Sequence, residues 1–162
     1  PILSQRRDSP DWRELVSRLS LFWRLPGAGL ALIAAAGLFL IPDDRAPGLS
    51  AATPILLLLL AEWLLTLEAA SMTAAVIANG RDRSMARAGA MLIGLGLVAQ
   101  AALFPLVALP LLLTARIAIF FASVRLNHSF AGLSPLPGPA ALLPILFTVV
   151  ALTLTFSHLQ TD

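Results

Sequence analysis

Two carboxylates stand inside the most apolar stretch of the chain: Glu62 and Glu68, within LLLLLAEWLLTLEAASM at residues 56–72. At the centre of a membrane helix an ionised side chain costs roughly 2.5–3.5 kcal/mol, so such residues face protein, pair with one another, or serve a proton or ion path. Six residues turn a helix by about 600°, which points the two carboxylates ~120° apart. They do not share a proton on one face; each needs its own neighbour. Arg116, in LLLTARIAIFF, lies deep in a later apolar run, and an Arg116–Glu68 or Arg116–Glu62 ion pair is expected. Gln100 is the remaining strongly polar side chain at depth. Two readings follow. In one, Glu62, Glu68, Arg116 and Gln100 line a proton or ion path. In the other they fasten helices together, within the chain or toward partner subunits. Ala70, Ala74 and Ala78 form a small-residue stripe that suits close packing and belongs with the second reading.

Other chemistry is missing. His128 and His158 both fall at the ends of apolar segments, so no intramembrane histidine pair is available for haem. There is no phosphate loop, no HExxH and no nucleophile–base pair. The absence of Cys excludes disulfides, thiolate metal sites and cysteine nucleophiles. No catalytic residue, metal or cofactor is therefore expected, nor an enzyme acting by itself.

The elements that must carry the polar residues are membrane helices. Of 162 residues, 58% are hydrophobic and 12% charged, against about 25% charged in a soluble domain; mean hydropathy is +0.86. Apolar runs recur at 25–41, 54–78, 88–124 and 140–156, more than a soluble core of this length needs. The expected fold is all-α, an integral membrane helical bundle over residues 25–162 behind a lead-in at 1–24. The pI of about 11.0 does not indicate nucleic acid: net charge is +2 and all eleven basic residues are Arg, whose high pKa drags the value upward.

The first span is read as 22–41, closed by PDDRAPG. The second is 54–78, opened by Pro54 in a first helical turn and ended by NGRDR. The last is 139–156. As one helix, 88–124 would reach about 55 Å, beyond a hydrocarbon core of ~30 Å. Pro105 and Pro110 near its middle favour a hairpin between spans at 88–104 and 106–124. That gives five spans, or four if the long segment is one kinked helix. Arg6, Arg7, Arg13 and Arg18 precede the first span, and Arg81, Arg83 and Arg87 follow the second. The loop between those spans holds Asp43 and Asp44 against Arg45. The positive-inside rule then makes the N-terminus and the 79–87 loop cytoplasmic, and five spans bring Arg125 inside as well. Trp12, Leu15, Val16 and Leu19 recur at helical spacing behind a Ser9 cap and Pro10, which predicts an amphipathic helix on the cytoplasmic surface. The chain opens at Pro1 without Met, which leaves room for upstream residues. Its start lacks a signal peptide's order of charge, apolar run and small-residue cleavage site.

The segment GRDRSMARAGAMLIGLGLVAQAA, residues 80–102, and QRRDSPDWRELVSRL, residues 5–19, together resemble a membrane-subunit family. That family anchors the hydrophilic arm of respiratory complex I and of group 4 membrane-bound hydrogenases. Arg6, Arg7 and Arg83 match as basic positions. The family's Gly-Pro after the Arg pair and its acidic loop after the fourth span are not matched; that loop's place holds LNHSFAGLSPLPGP. The resemblance implies a non-catalytic, multi-pass subunit of a redox-linked or ion-translocating complex in the cytoplasmic (inner) membrane. Its partners would be the lipid bilayer and other membrane subunits in a hetero-oligomer, with no nucleic acid. A small proton or ion transporter or channel component using Glu62, Glu68 and Arg116 is the alternative.

Overall fold

In the computed structural model, residues 12–42, 44–104, 109–132 and 142–159 are described. They form five helices: α1 (Trp12–Leu40), α2 (Leu49–Ala78), α3 (Asp82–Leu103), α4 (Leu109–Phe130) and α5 (Leu142–Leu159), and among the described residues there is no strand. Leu and Ala, the strongest helix formers, dominate every one. Three helices are long and apolar enough to cross a membrane: Leu49–Ala78, Asp82–Ala102 and Leu109–Phe130. The apolar parts of α1 and α5, Arg24–Leu40 and Leu142–Ser157, are shorter.

α2 is the hub, lying against α1, α4 and α5, whereas α3 runs along α4 and barely touches α2. The buried positions of α2 (Leu57, Leu58, Ala61, Leu64, Leu65, Glu68, Met72, Ala75 and Val76) recur every three or four residues, the spacing of one helix face. Its first half packs with Ala31 and Ala35 of α1, Ile117 and Val124 of α4, and Phe147 and Ala151 of α5. Its C-terminal part, Met72, Ala75 and Val76, packs with Trp12, Val16 and Ala131. Ala70 of the expected small-residue stripe lies off this face and is exposed, whereas Ala78 packs against the cluster around Met72; Ala61 and Ala75 also sit on the buried face.

Several boundaries differ from the sequence reading, and α3 starts at Asp82 rather than at residue 88. The lead-in and first span are one continuous helix through Pro26. Trp12 and Val16 bury themselves against α2 and the end of α4 rather than forming a separate surface helix; the proposed Ser9 cap lies outside the described residues. α2 begins at Leu49, five residues before Pro54, because the proline lies near enough to the helix start to remove only one early ladder bond. α4 continues to Phe130, six residues past the expected end at Val124. Its polar tail RLNHSF stays helical because Asn127 and His128 are buried. The long apolar segment does divide, α3 ending at Leu103 and α4 starting at Leu109; residues 105–108 lie outside the described set.

Candidate functional site

The threonine hydroxyls of the described helices are satisfied locally. Thr53, Thr66, Thr73, Thr114, Thr148, Thr153 and Thr155 each donate to the carbonyl four residues earlier, which removes the cost of an unpaired donor. The ionisable groups cannot do this, and they gather into two clusters along α2.

The first joins α2 to α4. Arg116 Nη2 donates to Glu62 Oε1 at 2.5 Å. The Arg116 guanidinium also sits 5.9 Å from the centroid of the Phe120 ring, one turn along α4, within the range of a cation–π contact. The two partners are buried unequally: the Glu62 side chain is 13% exposed and Arg116 44%. Of the two partners that spacing allowed for Arg116, Glu62 is the one it meets. Gln100 does not join this ion pair; it lines, with Arg116, a groove between α3 and α4.

The second cluster joins three helices. Glu68 Oε1 accepts a hydrogen bond from Arg24 Nη2 of α1 and lies 2.5 Å from His128 Nε2 of α4. Glu68 and His128 are buried, and the Arg24 side chain is partly buried. With Glu68 ionised its oxygen only accepts, so Nε2 carries the hydrogen and donates it. Arg24 Nη2, 3.4 Å from Nε2, then faces a second donor, and that approach is no hydrogen bond. Both donors converge on one oxygen. The helices are close here: a Cβ on Gly27 would stand 2.8 Å from Leu67 Cδ1, so α1 and α2 touch one turn from Arg24. Arg24 Nε is buried without a partner among the described residues.

The two carboxylates therefore look to different neighbours, as their angular separation requires. The sequence reading missed Arg24 and His128. Arg24 opens an apolar run and reads as a basic residue flanking a span; His128 reads as lying past the end of one. A signal was present in the length of α2, because Glu68 lies only ten residues before Ala78 and helix-end residues of neighbouring elements reach that level. Of the basic residues assigned to the surface, Arg18 pairs with Glu14 one turn away, and Arg81, Arg83 and Arg87 are exposed. Arg6 and Arg7 lie outside the described residues, as does the Arg13 side chain. Among the described residues no group of His, Asp or Glu is arranged to hold a metal ion.

Chemically, the arrangement can do two things. It fastens α1, α2 and α4 through charge-assisted bonds, and at the Glu68–His128 contact it offers one carboxylate and one imidazole between which a proton can reside. No protein-family model, curated protein or solved structure matches the chain.

Proposed function

We propose that the chain is an integral membrane subunit, without catalysis of its own, of a larger redox-linked or ion-translocating complex in the cytoplasmic (inner) membrane. In this reading all five helices cross the bilayer, with the N-terminus cytoplasmic, and they anchor and pack against partner subunits. The observation that carries it is the half-exposed Arg116 on a helix long and apolar enough to span. An Arg at such a position faces protein rather than lipid, and this chain covers only one side of it. α3 supports the same reading: Met91, Ile93, Leu95, Leu97 and Val98 are all more than 60% exposed. Extraction in mild detergent followed by blue-native electrophoresis tests it. A large co-migrating assembly is expected; a stable, active single-subunit species overturns it.

The Glu68–His128 contact favours a second reading, in which protons or ions move past Glu62, Glu68 and Arg116. Purified chain in proteoliposomes would then carry a proton or ion flux that Glu68→Gln removes. Flux equal to that of empty vesicles eliminates this reading.

A further inference from the structure

The groove between α3 and α4 holds about 330 Å³. At its floor the two helices come close, and a Cβ on Gly96 would stand 3.0 Å from Ile119 Cδ1. From Gly89 to Gln100 it runs eleven residues of α3, about 16 Å or three helical turns. Three polar side chains line this otherwise apolar surface: Gln100, Arg116 and Ser123. Arg116 has five N–H donors, and Glu62 accepts from Nη2. Among the described residues neither the Gln100 amide nor the Ser123 hydroxyl has a hydrogen-bond partner. Unmet polar groups in an apolar medium are costly, and here they converge on one place.

Charge decides what can meet them. Glu62 already balances Arg116, so a carboxylate brought into the groove would leave an excess negative charge, and an ammonium an excess positive one. An uncharged amide accepts from Arg116 and both donates to and accepts from Gln100 with no net charge added. We infer that this groove receives a transmembrane helix of a partner subunit carrying an Asn or Gln at the depth of Arg116. The inference rests on the subunit reading above and gives that partner its chemistry. A helix suits the site because Ile93 and Leu97, which border it, project apolar surface well beyond it, and a helix lying along the pair covers these rims as well as the floor.

The probe is a set of Leu/Ala transmembrane peptides with Asn, Asp, Lys or Leu at the centre, titrated by energy transfer against the labelled full chain in phosphatidylcholine vesicles. The Asn peptide is expected to associate about three- to tenfold more tightly than the Leu peptide, the range of an interhelical hydrogen bond, with Asp and Lys weaker than Asn. Arg116→Leu should abolish the Asn preference. Gly89→Leu, which fills the groove without touching the Glu62–Arg116 pair, should weaken all four peptides. Equal binding of Asn and Leu, a preference that survives Arg116→Leu, or Asp binding more tightly than Asn each overturns the inference, as does displacement of the peptides by monoacylglycerol, which would make the groove an amphiphile site. A blue-native assembly that persists in Gly89→Leu sinks this inference while leaving the subunit reading standing; the absence of any assembly in the unmodified protein sinks the subunit reading itself.

Discussion

His128 Nε2 lies 2.5 Å from Glu68 Oε1, tying the last turn of α4 to the C-terminal half of α2 across sixty residues of sequence. Arg24 joins the same oxygen from α1. One carboxylate oxygen thus holds three helices, and the consequences of removing each partner are unequal.

Glu68→Gln strands Arg24 without an anion, whereas Arg24→Leu leaves Glu68 still in contact with His128. Breaking a buried pair from one side costs about 3–5 kcal/mol, while replacing both partners with neutral groups is far milder. Thermal or denaturant midpoints in detergent should therefore rank Glu68→Gln below Arg24→Leu, with the double substitution recovering part of the loss. A double mutant as damaged as the sum of the singles would show that the pair carries no coupling.

At the other cluster, Glu62→Gln and Arg116→Leu should each lower the yield of folded protein in membranes, and the combination should restore some of it. The gain should be smaller than at Glu68, because Arg116 is nearly half exposed in this chain and its uncovered side is open to groups outside the chain. Yield can be read by fluorescence of a C-terminal fusion on size exclusion. Identical yields for all three variants would remove any structural role for this contact.

Gly27 permits the contact of α1 with Leu67. Gly27→Ala forces only the tip of a flexible leucine to move and gains helix propensity, so its midpoint should stay within about 1 kcal/mol of the unmodified chain. Gly27→Val adds branches that the leucine cannot avoid and should cost about 1–3 kcal/mol. If Val is tolerated as well as Ala, the two helices are not held in contact there.

The proposed five-crossing topology predicts that single cysteines at Ser50 and Ser129, both exposed, label from opposite sides of the membrane with an impermeant maleimide. Labelling from one side would mean that α3 and α4 do not both cross.

Hydropathy located the helices because the Leu- and Ala-rich runs are long and bounded by Pro, Gly and charge. It misjudged their ends where polar residues face protein: RLNHSF looks like a loop, yet Asn127 and His128 are buried. The partners of the two glutamates were only half legible. Spacing on α2 required separate neighbours, and Arg116 was visible as an isolated cation. Which glutamate it meets depends on the vertical offset of α4 against α2, and no periodicity encodes that offset. Arg24 was hidden for the opposite reason. Its position at the head of an apolar run has a sufficient explanation in the positive-inside rule, and only the α1–α2 contact at Gly27 gives it a second role.

The order of the partners along the chain sets a timetable for biosynthesis. Arg24 precedes Glu68 by 44 residues, so when α2 leaves the ribosome the cation for Glu68 has already been made. Glu62 has no such provision: Arg116 follows it by 54 residues, roughly 3–10 s at ordinary elongation rates. During that interval the nascent hairpin of α1 and α2 carries one matched acid and one unmatched acid. Glu62 must wait, unpaired, until α4 is delivered.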